Sequence, residues 1–139
     1  MVFLSGSAIS VEGRLDGGLE GLFQIDTGVA EPMVTSKYLE LSLAVHPRWY
    51  VGPVRPQSFF GAGGIKAGAA RPIEGSRFCA RGEGACLDLP RILAWAALAS
   101  VIQGPNDIEH AGVFGGSAFR GRVLELDYPA LRVRVRPSM

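Results

Sequence analysis

Short stretches of alternating apolar and polar residues, separated by glycine- and proline-rich turns, recur along this chain. Residues 8–16 alternate in this way near the N-terminus, and residues 131–136 do so near the C-terminus. Alternation with a period of two places every second side chain on one face, as in a half-buried β-strand. Nineteen glycines and nine prolines in 139 residues separate such segments. The sequence therefore predicts a mainly β fold in a single domain over residues 1–139.

Three hairpins are predicted where strand-like segments flank turn residues. The first covers residues 8–25, with an Asp-Gly-Gly turn at 16–18. The second covers residues 78–89, and the third covers residues 123–136. Glycine, proline and aspartate favour tight turns, so the strands that they join are expected to pair with each other.

The one substantial helix is predicted over residues 90–103. It begins at Pro90, is rich in alanine and leucine, and is followed by Gly104 and Pro105, which are typical signals for the start and the end of a helix. Trp95 on this helix is expected to lie in the core. A short helix or a turn is compatible with residues 35–42.

Charge and hydropathy argue against two classes of partner. The net charge is +1, without the basic excess that is typical of nucleic-acid-binding modules. The longest apolar stretch, residues 92–102, is too short for a bilayer, which needs about 20 residues. The N-terminus has no basic run and no long apolar region, so no signal peptide is predicted. We expect a soluble domain, cytoplasmic unless it was cut from a larger membrane or exported protein.

The two cysteines, Cys79 and Cys86, flank a glycine-containing turn. They form either a disulfide across the hairpin or two free thiols on neighbouring strands, and the sequence leaves both alternatives open. Without nearby histidines they do not make a zinc site. The sequence predicts no metal and no cofactor.

The residues that point to chemistry are Asp26, Thr27 and Gly28, which directly follow an apolar strand-like segment at 22–25. A carboxylate at the end of an apolar strand is expected to lie in a partly desolvated setting. Thr27 offers a hydroxyl group that can hold the turn, and Gly28 allows the backbone to turn sharply beside the carboxylate. Taken alone, the tripeptide is also typical of an ordinary turn after a strand.

A second glycine motif, Gly112-Val113-Phe114-Gly115, follows about 85 residues later, and Leu126-Asp127-Tyr128-Pro129 comes shortly before the last strand. With these three anchors in order, residues 8–135 resemble the retropepsin-like aspartic proteases, in their bacterial and cellular branch. The resemblance implies a closed, barrel-like single lobe that hydrolyses peptide bonds.

The resemblance also implies a role for each residue of the first motif. Asp26 would be the catalytic aspartate, and Thr27 would tie two loops together across a dimer axis. Gly28 would place backbone polar groups near the substrate, and Val29 continues the same loop. Val113, Phe114 and Gly115 would form the strand that supports this loop.

Residues 59–65 resemble the flap, a hairpin that closes over a bound peptide. Glycines at its tip would allow close backbone approach and hinge motion. The tip residues are Gly61, Ala62, Gly63 and Gly64.

Two positions depart from the family pattern. Val29 and Ala30 stand where the family usually has alanine followed by serine, aspartate or asparagine. In retroviral enzymes an aspartate at the second place pairs with an arginine, and that arginine's place is Gly116 here. Both partners are absent together, which avoids a lone buried charge. Val29 is bulkier than alanine and narrows the space beside Asp26.

A single Asp-Thr-Gly is half of what this chemistry needs, because peptide hydrolysis of this type uses two carboxylates that share a proton. The sequence therefore predicts a homodimeric aspartic endopeptidase with Asp26 from each chain, acting on peptide or protein substrates. The alternative is a non-catalytic member of the same fold that serves as a dimerisation or peptide-binding module.

Overall fold

A computed structural model describes residues 2–5, 8–28, 31–45, 51–61, 64–82, 86–95 and 110–137. Within these ranges the secondary structure consists of ten strands, one α-helix and one short 3-10 helix. They are β1 (Val2–Ser5), β2 (Ala8–Leu15), β3 (Gly21–Ile25), β4 (Met33–Thr35), α1 (Ser36–Val45), β5 (Arg55–Gly61), β6 (Gly64–Ala80), β7 (Cys86–Trp95), β8 (Gly112–Phe114), the 3-10 helix (Gly116–Phe119), β9 (Arg122–Asp127) and β10 (Arg132–Pro137).

Eight of these strands form one sheet in the order β1-β2-β3-β8-β4-β7-β6-β5. An additional antiparallel pairing joins β2 to the far end of β6, with Leu15 opposite Phe78. This pairing connects strands from distant places in the sheet, so the sheet is partly closed around the core. The prediction of a mainly β fold is confirmed, and the closure is partial.

The three predicted hairpins are present. β2 and β3 pair antiparallel across the turn at 16–18, where Gly17 has a positive φ of 71°. β6 pairs with β7 from Ala70 opposite Trp95 to Cys79 opposite Cys86. β9 and β10 form a separate two-stranded sheet. Turn residues that tolerate left-handed backbone allow this local pairing, which is why it could be predicted from sequence.

The predicted helix over residues 90–103 is wrong for its first part, because residues 90–95 belong to strand β7. Residues 96–103 lie outside the described ranges. Ile92, Leu93 and Ala94 are all buried, since β7 lies in the interior of the sheet between β4 and β6. A strand covered on both faces has a continuous apolar run, which periodicity alone does not distinguish from a buried helix.

The α-helix of the described chain is α1, over the segment for which the sequence left a short helix or a turn open. Its N-terminus is capped by Thr35, whose Oγ1 accepts a hydrogen bond of 3.1 Å from the Tyr38 backbone N–H. Tyr38, Leu39 and Ser42 are the buried residues of this helix. The spacing of these residues places one face of α1 against the core.

Four aromatic rings fill the centre of the core. The Phe23 ring, fully buried, stacks on Phe114 at a centroid distance of 5.2 Å. Phe78 and Tyr38 contact the Phe23 ring edge-on, at 5.0 and 5.5 Å. Such ring pairs add attraction beyond the burial of apolar area. The strands that carry Phe23 and Phe114 are thereby held together on their core side.

Cys79 and Cys86 face each other across the β6–β7 hairpin and form a disulfide. Of the two alternatives that the sequence left open, the structure therefore has the cross-strand disulfide. No helix within the described ranges is long and apolar enough to cross a membrane.

Candidate active site

Asp26 follows directly on β3, in the interior of the sheet. β3 pairs antiparallel with β2 on one side and parallel with β8 on the other, with Ile25 opposite both Ile9 and Phe114. A strand that is paired on both edges holds its last residue in a fixed place. The sheet thus fixes where the Asp26 backbone emerges.

The backbone of Asp26 is bound to the end of β8. Its N–H donates a hydrogen bond of 3.1 Å to the carbonyl oxygen of Phe114. Phe114 and the following Gly115 are both buried. The structure therefore brings the two motifs of the sequence, residues 26–28 and residues 112–115, into direct contact.

The Asp26 side chain is fixed by its own turn. Its Oδ1 accepts a hydrogen bond of 3.0 Å from the backbone N–H of Gly28. A Cβ on Gly28 would lie 3.2 Å from the same oxygen, so a larger residue would press on the carboxylate. This Asx-type turn holds one carboxylate oxygen against the backbone.

The turn faces outward in the single chain. Asp26 is half-buried, and both Thr27 and Gly28 are exposed. A carboxylate with one oxygen held by an N–H and a solvent-facing turn beside it can meet a water, a substrate or a second copy of the turn. In chemical terms the arrangement offers one positioned acid or base in each chain.

β8 is enclosed tightly on its other side by β4. A Cβ on Gly112 would lie 2.3 Å from the carbonyl oxygen of Met33, which leaves no room for a side chain there. Val113 pairs with both Gln24 and Met33, and its side chain is buried. This close packing explains why glycine stands at the start of β8, and it stiffens the strand that binds the Asp26 backbone.

The residues assigned to the flap lie in the β5–β6 hairpin. Its antiparallel pairing runs from Arg55 opposite Ala70 to Gly61 opposite Gly64. The tip residues Ala62 and Gly63 lie outside the described ranges, as do Val29 and Ala30 beside the candidate aspartate.

Sequence reasoning missed one buried polar pair. Ser10 Oγ and His110 Nε2 share a hydrogen bond of 2.8 Å, and the two residues are 1% and 3% exposed. They come from strand β2 and from the segment just before β8, 100 residues apart, so no local pattern could reveal them. The hydrogen bond connects strand β2 to the segment before β8. Because both side chains are buried, a substrate cannot reach them.

An apolar cavity of about 700 Å³ lies between the sheet and the β9–β10 hairpin. Ile25 and Phe114 are among its lining residues, and Asp26 is not. The cavity thus adjoins the two strands that hold Asp26, whose own side chain is not part of the lining. Among the described residues, no group of three or more histidine, cysteine, aspartate or glutamate side chains is placed to hold a metal ion.

Comparisons with protein-family models, with curated proteins and with solved structures find no match for this chain. A functional proposal for it therefore rests on its own residues and geometry. Three features bear on function: the turn at 26–28, the hydrogen bond from the Asp26 N–H to the Phe114 carbonyl, and the β5–β6 hairpin.

Proposed function

We propose that this chain is one half of a homodimeric aspartic endopeptidase of the retropepsin-like type. The observation that carries the proposal is the position of Asp26. It directly follows β3, a strand paired on both edges; its backbone N–H donates to the Phe114 carbonyl, and one oxygen of its carboxylate accepts a hydrogen bond from the N–H of Gly28. The contact between the motifs at 26–28 and 112–115, which carry the family resemblance, supports the proposal.

Hydrolysis of a peptide bond by this route requires two carboxylates in one site. The ionised one takes a proton from a water molecule, which attacks the scissile carbonyl carbon. The protonated one donates a hydrogen bond to the carbonyl oxygen and so stabilises the charge that develops there. Two carboxylates about 3 Å apart share a single proton because both cannot be ionised at once.

The second carboxylate comes from a second copy of the chain. Asp16, Asp88, Asp107 and Asp127 lack the Thr-Gly that follows Asp26. A two-fold axis that passes beside the turn at 26–28 would bring Asp26 of one protomer to Asp26 of its partner. The exposure of Thr27 and Gly28 in the single chain supports this, because these residues are accessible for the contact.

The test is replacement of Asp26 by asparagine. An asparagine at this position would retain the backbone N–H and an oxygen that accepts from Gly28, so the turn is preserved while the proton-exchanging group is lost. We expect D26N to lower cleavage of a mixed peptide library at about pH 4–7 by more than about a thousandfold. The free energy of unfolding should stay within about 0.5 kcal/mol of the original value.

The matched control is Asp127→Asn, which makes the same chemical change at the exposed last residue of strand β9. The Asp127 Oδ1 accepts the N–H of Ala130, a bond that asparagine can also accept. D127N should cleave like the original chain. Equal cleavage by D26N and the original chain would exclude the peptidase.

The alternative is a non-catalytic dimerisation or peptide-binding module of the same fold. Val29 and Ala30 favour it, because they depart from the pattern of the active family next to the aspartate. A dimer that binds library peptides by a direct binding measurement, yet shows no cleavage that depends on Asp26, would establish this alternative.

A further inference from the structure

Within the described residues, the β5–β6 hairpin continues past Trp95, the last described residue of β7. Described pairing between β6 and β7 begins at Ala70 opposite Trp95 and continues to Cys79 opposite Cys86. Before Ala70, the described part of β6 pairs only with β5. Residues 55–61 and 64–69 therefore form, within the described chain, an arm that is joined at Ala70 to the part of β6 that pairs with β7.

Residues 51–52, which precede β5, hold the base of this arm. The Gly52 N–H donates a hydrogen bond of 2.8 Å to the Pro72 carbonyl, and Arg71 Nε donates one of 3.2 Å to the Gly52 carbonyl. Val51 also bridges to Ile73. These bonds hold residues 71–73, so any movement of the arm has to occur on the tip side of this clamp.

Trp95 packs on the first part of the arm. Its indole lies against Gly68, where an added Cβ would be only 2.7 Å from Cζ3 and 3.0 Å from Cε3 of the ring. Trp95 stands opposite Ala70, and Gly68 is the diagonal neighbour two residues further along the same face. The absence of a side chain at Gly68 is what lets the ring approach the backbone of the arm.

The same indole packs on the layer that holds the candidate site. Trp95 forms a buried cluster with Met33, Ala70, Leu93 and Val113. Val113 precedes Phe114, whose carbonyl binds the Asp26 N–H. A continuous set of contacts thus runs from the arm, through the Trp95 ring, to the strand that supports Asp26.

We propose that Trp95 is the positioning residue of the β5–β6 arm, with the Trp95–Gly68 contact fixing the arm relative to the strands that carry Asp26. The consequence for peptide cleavage rests on the proposed function, whereas the mechanical role of Trp95 does not. A methyl group at position 68 forces either the arm or the ring to move. The ring is held by the buried cluster, so the arm is the part that moves.

The experiment compares Gly68→Ala, Trp95→Phe and the double variant by hydrogen exchange. We expect G68A to raise the exchange rates of amides in residues 55–61 and 64–69 by about tenfold, while amides of β2 and β3 keep their original rates. Phenylalanine is smaller than tryptophan and leaves room for the methyl group. Adding W95F to G68A should therefore return the exchange of the arm to within about twofold of the W95F value.

The control variant is Ala69→Ser, a small change at the exposed neighbouring residue. A69S should leave the exchange of the arm unchanged. Faster exchange of the arm in G68A that W95F fails to relieve would overturn the proposal, as would an equal increase in β2 and β3, which would indicate general destabilisation. No change in G68A would overturn it as well.

Cleavage kinetics separate this inference from the proposed function. If the chain cleaves peptides, G68A should raise KM by about tenfold with kcat within about twofold, and W95F should restore KM in the double variant. A general loss of folded protein would instead lower kcat and leave KM unchanged. If the original chain shows no cleavage that depends on Asp26, the peptidase fails, and the exchange data still decide the role of Trp95.

Discussion

Tyr38 shows how a single residue connects the helix to the strands of the sheet. Its hydroxyl donates a hydrogen bond of 2.6 Å to the Leu19 carbonyl and accepts one of 3.1 Å from the Leu15 N–H. These groups flank the turn between β2 and β3. Burial raises the pKa of the Tyr38 phenol above its ordinary value of 10.0, although hydrogen bonds to Leu15 and Ser42 act in the opposite direction.

This shift predicts a loss of stability in alkali. Because the phenol has a higher pKa in the folded state, its contribution is fully present below about pH 10 and is lost as the pH rises through the folded value. We expect the free energy of unfolding to fall more steeply above about pH 10 in the original chain than in Tyr38→Phe.

Urea unfolding at several pH values measures the effect, and the difference between the two proteins isolates Tyr38. At neutral pH, Y38F should be less stable by about 1–3 kcal/mol, because the Leu15 N–H and the Leu19 carbonyl lose their partner. Parallel pH dependence of the two proteins would contradict the assignment.

Among the elements, the β6–β7 hairpin contains residues 90–95, which form a strand although their sequence pattern favours a helix. Residues 90–95 include proline at the first position and a run of apolar residues. In the structure Glu74 pairs with Arg91 and Ser76 pairs with Leu89, and the intervening residues are Gly75 and Pro90. Gly75 has a positive φ of 63°, and Pro90 has no N–H to contribute to the ladder. The hairpin thus accommodates the proline opposite a glycine, without ending the strand.

The disulfide at the far end of this hairpin predicts a modest contribution to stability. Cys79 and Cys86 are seven residues apart and already opposite each other in the β6–β7 register. Closing so short a loop lowers the conformational entropy of the unfolded chain and stabilises the folded state by about 2.5 kcal/mol at most. We expect the double variant C79S/C86S to unfold at a lower urea concentration and to retain the mainly β far-UV spectrum.

Reduction provides the control for that experiment. A reducing agent should lower the unfolding midpoint of the original chain to near that of C79S/C86S and should not affect the variant. A midpoint of the original chain that does not respond to complete reduction would show that the bond contributes nothing to stability.

At the scale of the whole molecule, the single Asp26 in each chain makes the proposed activity depend on association. When most chains are monomeric, the fraction in dimers is proportional to concentration, so tenfold dilution should lower the activity per chain by about tenfold. Sedimentation over the same concentrations measures the dimer directly. Activity per chain that stays constant where sedimentation shows monomers would contradict the shared site.

Mixing provides an independent check of the same prediction. At concentrations where sedimentation shows that nearly all chains are dimeric, an equal amount of D26N would pair about half of the original chains with an inactive partner, so their activity should fall to about half. Mixing with D127N should leave the activity per chain unchanged, because Asp127 ends strand β9 and is not part of the proposed dyad.

Local features were predictable from the sequence because they depend on neighbouring residues. Glycine and aspartate at the turns determined the hairpins, and alternating side chains determined the mainly β fold. Asp26 at the end of a strand was identified in the same way. Whether Cys79 and Cys86 form a disulfide or remain free thiols could not be decided from the sequence, because it depends on the register between β6 and β7.

The features that only the tertiary structure decided involve residues far apart in the chain. The pairing of β7 with both β4 and β6 made residues 90–95 a strand, since the ladder hydrogen bonds on both edges outweigh the helix preference of a short apolar run. The parallel pairing of β3 with β8 brought Phe114 to Asp26, although most of the chain separates them. Sequence by itself determined which residue carries the carboxylate, and the tertiary structure determined what holds it, because long-range pairing has no signature in a local pattern.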